Sequence, residues 1–373
     1  MTHRSRLGGV ALVAALALIL TSLAASPATA AKRTQGKVSY GTTSWTAGTS
    51  GYAIKGKASG PRKRKVALQV KWADGWHTID KTKTKRKGKY TFTGSFDWYG
   101  AHKLRVLVPR KKRFGPKAFK AKKFSVGIPW TPRGSTSAYL PFNGQGLTFR
   151  WNPCETIKYR INPGVGGPGA VPVTLEAMKL LERATGFRSK YVGTTTAVPI
   201  RGDRHPSGTD LVIAWSHQDL DPALVGAVGV GGTGRAPIAQ LKKSKRPTWR
   251  IAKPGVTMNM AYGAEYPMVM DHPTTEPMGL VLIHELGHAF GLDHFADDVQ
   301  IMHPGNRSPN VGGYYSRYEA GDLAGLRSLG ASKGCLTKYR GRYQARTDGP
   351  VLTPGSVSPG REVVDLVEED HDH

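Results

Sequence analysis

The sequence of 373 residues predicts an α+β fold made of two bodies, a small all-β sandwich followed by a larger domain of strands and helices. Short alternating runs dominate residues 32–127, and a helical pattern first appears at 173–186. The charge also changes between the two parts, because residues 32–127 hold 26 Lys and Arg against three Asp, a balance of +23. Nearly all of the net charge of +28 therefore belongs to the first body.

The first 30 residues have the order of a secretory signal peptide. Two arginines precede the apolar run LGGVALVAALALIL, and Ala28-Thr29-Ala30 forms an A-x-A cleavage site. A membrane anchor is the alternative, since the run approaches the length of about 20 apolar residues that a span needs. We expect a cleaved signal and a mature protein without a membrane span that is secreted, extracellular or associated with the cell wall.

The first body repeats short period-two runs at 65–72, 76–82, 89–96 and 102–109, separated by Gly, Pro and Asp-Gly signals. This spacing is typical of a small antiparallel sandwich, and the pattern resembles immunoglobulin-like or fibronectin-like modules. Its charge could attract an anionic cell-wall or surface polymer, anionic lipid headgroups or extracellular nucleic acid. A solvated lysine surface without a partner is the alternative. The sequence has no zinc-finger spacing, RNP-like run or heptads, so sequence-specific binding of nucleic acid is not expected.

Residues 128–150 are rich in Pro, Gly, Ser and Thr and are predicted to form a linker. The Gly-rich run at 226–234 lacks the G-x-G-x-x-G order and a following helix, so we interpret it as a loop or an edge strand. The predicted elements that surround it are a helix at 173–186 and strands at 156–163, 187–193, 210–215 and 256–262. Their order predicts an α+β layer architecture.

Cys154 and Cys335 are the only cysteines, and an exported protein is expected to oxidise them to a disulfide. Two unrelated free thiols are the alternative. A bridge would close a loop of roughly two hundred residues, worth about 5 kcal/mol in the chain-entropy model. It would also join the two ends of one folded unit, residues 151–336.

The candidate metal ligands and general base are concentrated in the stretch HELGHAFGLDH at 284–294. A helix is predicted over 277–291, and on it His284 and His288 are four residues apart, which stacks their imidazoles one turn apart on one face. Glu285 lies next to the first histidine, where its carboxylate can reach a water on the same metal without being a ligand. The spacing therefore predicts two metal ligands and a general base.

Gly291 can adopt the left-handed backbone conformation that turns the chain back after the helix. This turn would bring His294 to the same metal ion. Three neutral histidines that leave one tetrahedral position open are typical of a single catalytic Zn²⁺. Zinc-bound water would then attack a carbonyl, with Glu285 taking and returning the proton.

HELGHAFGLDH followed by IMHP at 301–304 resembles the metzincin metallopeptidases with their methionine turn, and in particular the matrixin branch that contains the matrix metalloproteinases. The resemblance implies a secreted bacterial zinc endopeptidase with a mixed twisted sheet and an active-site helix over 151–336. It implies zinc ligation by His284, His288 and His294, and it makes Glu285 the general base. Met302 becomes the hydrophobic floor of the site, and Pro304 completes the Met-x-Pro turn.

The sequence also departs from the matrixin pattern, because residues 32–127 contain no cysteine that could hold the zinc latent. Loop carboxylates could bind structural Ca²⁺, although no motif marks such a site. The tail at 337–373 has few core-forming residues and is predicted to be disordered. The expected partners are protein or peptide substrates, and the competing hypothesis is a non-catalytic exported protein that binds cell-wall polymers or polyanions beside a degenerate metallopeptidase domain.

Overall fold

A computed structural model describes residues 31–49, 51–144, 146–232, 238–305, 309–310 and 312–344. The predicted signal peptide and residues 345–373 of the predicted tail lie outside the described residues. Within them the chain is a mixed α+β structure with several sheets and three α-helices, which confirms the predicted α+β class. No described helix is both long and apolar enough to cross a membrane.

The first body contains nine strands in two sheets, whose buried side chains meet in one hydrophobic cluster. One sheet has the order β1-β3-β6, and the other has the order β2-β9-β7-β4-β5 with β8 paired to β7. The strands are β1 Gly36–Tyr40, β2 Ser44–Thr46, β3 Tyr52–Ala58, β4 Lys65–Trp72, β5 Gly75–Lys83, β6 Lys89–Gly94, β7 Gly100–Val108, β8 Lys117–Ala118 and β9 Lys122–Gly127.

Period-two patterning explains these strands. In β6 the side chains of Tyr90 and Phe92 are buried, whereas the residues between and around them are exposed. In β7, Leu104 and Val106 are buried and alternate with Lys103 and Arg105. In β6 and β7 the apolar face thus enters the core and the lysines face solvent.

The second body contains the remaining strands and all three helices. The helices are α1 Ala170–Thr185, α2 Met278–Ala289 and α3 Ala320–Leu329. The strands are β10 Leu140–Pro141, β11 Asn143–Gly144, β12 Leu147–Arg150, β13 Thr156–Asn162, β14 Arg188–Thr194, β15 Leu211–Ser216, β16 Gly229–Gly232, β17 Ile238–Leu241, β18 Pro247–Arg250, β19 Gly255–Asn259, β20 Asp271–His272, β21 Leu292–Asp293, β22 Tyr314–Tyr315 and β23 Leu336–Lys338.

The main sheet of this body has the order β14-β13-β15-β19-β16. Its first four strands are parallel, and β16 joins β19 in the antiparallel direction as the edge strand. Strand β15 is buried along its whole length, as expected for the centre of a parallel sheet covered on both faces. Helices α1 and α2 contribute Leu181 and Ile283 to the same hydrophobic core as Ile213 of β15.

The segment predicted to be a linker belongs instead to the second body. Strand β12 pairs in parallel with β18, and Phe149 is buried in the core of that body. The guanidinium of Arg150 is also buried and donates hydrogen bonds of 3.0 Å to the carbonyl oxygens of Leu329 and Gly330. Composition suggested a linker, but a few apolar and paired residues fix this segment against the helices.

The start of the predicted tail is also folded. Strand β23 pairs with β17, and the ring of Tyr343 lies 6.2 Å from that of Trp249. The predicted disulfide between Cys154 and Cys335 is confirmed, with a sequence separation of 181 and a Cα–Cα distance of 5.4 Å. The bridge joins the beginning and the end of the second body.

The two bodies touch through one end of the sandwich. The β4–β5 turn contacts the region after α3, where Ala73 N–H donates to Ser332 O at 2.9 Å and the Asp74 carboxylate accepts from Cys335 N–H at 3.2 Å. The β6–β7 loop contacts the end of α1, and Tyr99 N–H donates to Arg183 O at 2.8 Å. This end of the sandwich is therefore the one that faces the second body.

Candidate metal centre

Helix α2 carries the first half of the predicted motif. All twelve of its residues are buried, including His284, Glu285 and His288. The helix begins after Pro277, whose extended backbone suits the residue before a first turn, and it ends before Phe290. Three polar side chains thus lie on a helix surrounded by apolar neighbours, a burial that is costly unless they have partners.

The three predicted histidines converge on one point. The Nε2 atoms of His284 and His288 are 3.1 Å apart, and each lies 3.2 Å from the Nε2 atom of His294. The three nitrogens form a nearly equilateral triangle. His284 and His288 are fully buried, whereas His294 is partly exposed.

The other ring nitrogens of the helical histidines bind backbone carbonyls. The Nδ1 atom of His284 lies 2.6 Å from Ile301 O, and the Nδ1 atom of His288 lies 2.8 Å from Leu292 O. A carbonyl oxygen can only accept, so each Nδ1 is the protonated nitrogen of a neutral ring and each Nε2 has a lone pair. Burial lowers the pKa of His288 to about 3, which keeps this ring neutral at pH 7.

This arrangement fits a metal ion. Two Nε2 lone pairs facing each other at 3.1 Å repel unless a cation lies between them. Tetrahedral Zn²⁺ with Zn–N distances of about 2.0–2.1 Å separates its nitrogen ligands by about 3.3 Å, close to the observed triangle. The backbone carbonyls that hold Nδ1 correspond to the outer partners that orient metal-binding imidazoles.

The turn after α2 brings His294 to the triangle. Gly291 has φ +99°, a value that residues with a side chain rarely adopt, and a Cβ there would lie 2.8 Å from Phe149 O. The following strand β21 pairs with β10, and Phe142 N–H donates to Gly291 O at 2.8 Å. The predicted linker therefore helps to place a candidate ligand, which its composition did not indicate.

Glu285 faces the edge strand β16. A Cβ added to Gly229 would lie 2.9 Å from Glu285 Cγ, and one added to Gly231 would lie 2.8 Å from Glu285 Oε2 and closer still to its backbone oxygen. Only glycine at both positions lets the strand approach the carboxylate this closely. Residues 229–232 of the Gly-rich run interpreted as a loop or an edge strand thus form an edge strand adjoining the candidate general base.

Met302 lies beneath the helix. Its side chain is 1% exposed and packs where a Cβ of Gly287 would otherwise be. The backbone of this turn is held by α3, because the Asp322 carboxylate accepts hydrogen bonds from Ile301 N at 2.8 Å and Met302 N at 3.2 Å. Pro304 follows two residues later and is half-buried.

Asp322 is a positioning residue that the sequence reading missed. Burial raises its pKa to about 7, an effect that the backbone N–H groups of Ile301, Glu319 and Met302 partly oppose. A signal was present, since Glu319 and Asp322 are three residues apart, and in the structure they form a capping box at the start of α3. That spacing indicated a helix start but not the contact with the methionine turn.

The described residues contain one other group of three close metal-binding side chains, formed by His77, Cys154 and Cys335. The disulfide occupies both sulfurs, and His77 Nε2 lies 2.6 Å from Asp74 Oδ1. His205 and His272 are outside both groups and bond to Pro254 O and the Thr275 hydroxyl.

No family model and no curated protein matches the sequence. Among solved structures, the crystal structure of Ruminococcus gnavus beta-glucuronidase aligns with 45% of this chain at 14% identity and a TM-score of 0.13. The alignment spans 30% of the beta-glucuronidase chain. A similarity of this degree supports no conclusion about fold or activity.

Proposed function

We propose that the chain is an exported zinc-dependent endopeptidase whose centre is formed by His284, His288 and His294. The observation behind the proposal is the close contact of the His284 and His288 lone pairs, 3.1 Å apart with both Nδ1 atoms bound to carbonyls. When bound, Zn²⁺ supplies Lewis-acid polarisation of a carbonyl and lowers the pKa of a water molecule. We also propose a metzincin-like architecture for the second body and an immunoglobulin-like one for the first.

In this mechanism Glu285 moves the proton. Its buried carboxylate takes a proton from the attacking water and returns it to the amine that leaves the cleaved peptide bond. The packing of β16 against Glu285 restricts the carboxylate to a small range of positions. Such restriction favours transfer because a proton-transfer group must stay within hydrogen-bond reach of the reacting atoms.

Strand β16 also suggests how a substrate is held. It is the last strand of the main sheet within the described residues, and it lies directly beside the candidate general base. An extended peptide could add to this edge by main-chain hydrogen bonds, the mode known as β-augmentation. The proposed substrate is therefore a protein segment in extended conformation.

The test compares the full chain with Glu285→Gln, using Glu265→Gln as a control because Glu265 is exposed. We expect one Zn²⁺ per chain in all three proteins by mass spectrometry of metals. Cleavage of a mixed peptide library should persist in the control and fall by at least about 10³-fold in Glu285→Gln. Chelation should abolish cleavage, and added Zn²⁺ should restore it.

A second candidate function is a non-catalytic exported protein that binds a polyanion through the first body. The observation that favours it is the charge of +23 on residues 32–127. Stoichiometric zinc in a wild-type chain that cleaves no library peptide would support this candidate. A chain that folds and resists unfolding equally well with and without Zn²⁺ would argue against a metal centre.

A further inference from the structure

Three loops of the first body meet at one end of the sandwich. They comprise residues 59–65, 83–89 and 109–117, which we call the basic end. Backbone bonds join the first two, because Lys63 N–H donates to Thr84 O at 3.0 Å and Thr84 N–H donates to Arg64 O at 2.8 Å. The segment 109–117 contacts the segment 59–65 through Lys111 Nζ, which donates a hydrogen bond to Lys63 O at 2.9 Å.

Arg64 holds the basic end together from inside. Its side chain is 1% exposed, and its guanidinium donates to the carbonyl oxygens of Ser59, Pro109 and Gly115 at 2.6–3.0 Å. It also donates to the Thr34 hydroxyl at 2.8 Å. Carbonyl dipoles and a hydroxyl therefore solvate this cation, and its charge adds to the positive potential of the loops around it.

The basic end concentrates the charge of the whole chain. Its three segments contain fourteen basic and no acidic residues, so they account for 14 of the 26 Lys and Arg of residues 32–127. Arg64 is buried, Lys111 and Lys117 are half-buried and the other eleven are exposed. The exposed ones are Arg62, Lys63, Lys65, Lys83, Lys85, Arg86, Lys87, Lys89, Arg110, Lys112 and Arg113.

The positive charge of the first body is concentrated at one end of its strands. Strand β4 begins with Lys65 at the basic end and finishes with Trp72, one residue before the turn that contacts the second body. Its eight residues separate the two ends by about 23 Å, at about 3.3 Å per residue. Asp74 and Asp97 lie at the end that faces the second body. A uniformly solvated lysine face would not have this asymmetry.

One lysine in each of the three loops has an unfavourable backbone conformation. Lys63, Lys87 and Lys112 have φ of +55°, +57° and +51°, in the left-handed region. Residues other than Gly, Asn and Asp occupy this region at a cost of roughly 1–2 kcal/mol. Three of the five described residues other than glycine with such a backbone therefore lie in the basic end, and the other two are Lys243 and Lys253 of the second body.

The surface composition favours a polymer over a membrane. The large apolar side chains that are exposed among the described residues are Leu140, Val165, Leu220, Val225 and Val269, and all five belong to the second body. The described part of the first body thus offers no exposed large apolar side chain that could insert into a lipid layer. Its exposed lysines and arginines instead form many separate cation contacts.

We propose that the basic end is a docking surface for a linear polyanion, which anchors the protein and leaves the second body facing away from the polymer. The anchoring does not depend on peptidase activity, so either proposal can fail without the other. Counter-ion release would dominate the binding, and affinity would decline steeply as salt concentration rises.

The experiment uses the full chain and long-chain inorganic polyphosphate, a polyanion without sugar, base or lipid. The variant Lys63→Asn, Lys87→Asn, Lys112→Asn removes three charges and places at each position a residue that tolerates the left-handed region. The control Lys55→Gln, Lys103→Gln, Lys123→Gln removes the same charge from exposed lysines in β3, β7 and β9. Thermal unfolding checks that both triple variants fold.

Affinity is measured by fluorescence titration between about 50 and 300 mM NaCl. The proposal expects the asparagine variant to bind about tenfold or more weakly at low salt, with a log K against log[salt] slope shallower by about 2. The control should bind within about twofold of the wild type. Equal weakening in both variants, absence of polyphosphate binding, or binding only to anionic lipid vesicles would overturn it.

Discussion

The Nδ1 atom of His284 lies 2.6 Å from the carbonyl oxygen of Ile301, so the residue before Met302 orients the first imidazole of the candidate metal centre. Ile301 in turn donates its N–H to Asp322 at 2.8 Å. A continuous set of hydrogen bonds thus runs from α3 through the methionine turn to α2. The position of a candidate ligand depends on a carboxylate 38 residues further along the chain.

Replacing Asp322 should loosen the methionine turn and the centre together. Asp322→Ala leaves the N–H groups of Ile301, Met302 and Glu319 without their buried acceptor, which we expect to cost about 3 kcal/mol of unfolding free energy. Zinc affinity should fall by roughly 10–100-fold, as for other outer partners of metal ligands. Urea unfolding and competition with a fluorescent chelator measure the two effects. Asp219→Ala, at a carboxylate with 79% side-chain exposure, should change neither.

Adding a methyl group to β16 should impair the proposed base without removing a ligand. In Gly231→Ala the new Cβ would meet the Glu285 backbone and lie 2.8 Å from Oε2, so the strand must move away from α2. We expect zinc to stay bound and peptide cleavage to fall by at least about tenfold, because misplacing a catalytic group is costly. In Gly127→Ala the nearest atom to the new Cβ is 3.8 Å away, and activity should be retained. Equal activity in both variants would contradict the assigned contact.

Acid should destabilise the protein through His102, which is buried and bonded to Trp98 O at 2.8 Å. Burial lowers the pKa of His102 to about 4, whereas the unfolded chain has a value of 6.5. The unfolded state therefore binds the proton first, and stability that is present above pH 6.5 is lost as the pH falls towards 4. The loss amounts to about 3 kcal/mol.

His102→Gln tests this effect by unfolding measurements between about pH 4 and 7. The variant should lose less stability on acidification than the wild type, and the difference between the two should reach about 3 kcal/mol. His217→Gln, at a partly exposed histidine of the second body, should keep the wild-type dependence. Parallel pH curves for wild type and His102→Gln would show that His102 is not the cause.

Removing the disulfide should destabilise the second body. The double variant Cys154→Ser, Cys335→Ser opens a loop with a separation of 181 residues. The chain-entropy model predicts a loss of up to about 5 kcal/mol, seen as a lower urea midpoint. A reducing agent should lower the midpoint of the wild type towards that of the variant and leave the variant unchanged. A double variant as stable as the wild type would show that the hydrophobic core alone determines the fold of this body.

Much of the second body followed from local patterns. The helix predicted at 173–186 corresponds to α1, and its end at Gly186 has φ +73° in the structure. The helix predicted at 277–291 corresponds to α2, and the four-residue spacing of His284 and His288 brings their Nε2 atoms together as expected. These features involve neighbours along one helix or one turn, so the residues that produce them are close in sequence.

The linker prediction, and the tail prediction for residues 337–344, failed for the opposite reason. Residues 128–150 and 337–344 have loop-like composition, but β12 and β23 find partners in β18 and β17, roughly 100 residues away in each case. Composition describes the average character of a segment, whereas a few side chains such as the buried Phe149 and the partly buried Tyr343 decide where it packs.

By itself the sequence determined the α+β class, the two bodies of different charge, the disulfide pair and the identity of the three histidines and Glu285 as a candidate site. Only the tertiary structure decided that Gly231 adjoins Glu285, that Asp322 holds the methionine turn and that Arg64 gathers three basic loops at one end. The physical reason is the separation along the chain between the residues that interact. Periodicity and spacing act through bonds between near neighbours, whereas these contacts arise when the core closes and brings together residues far apart in the chain.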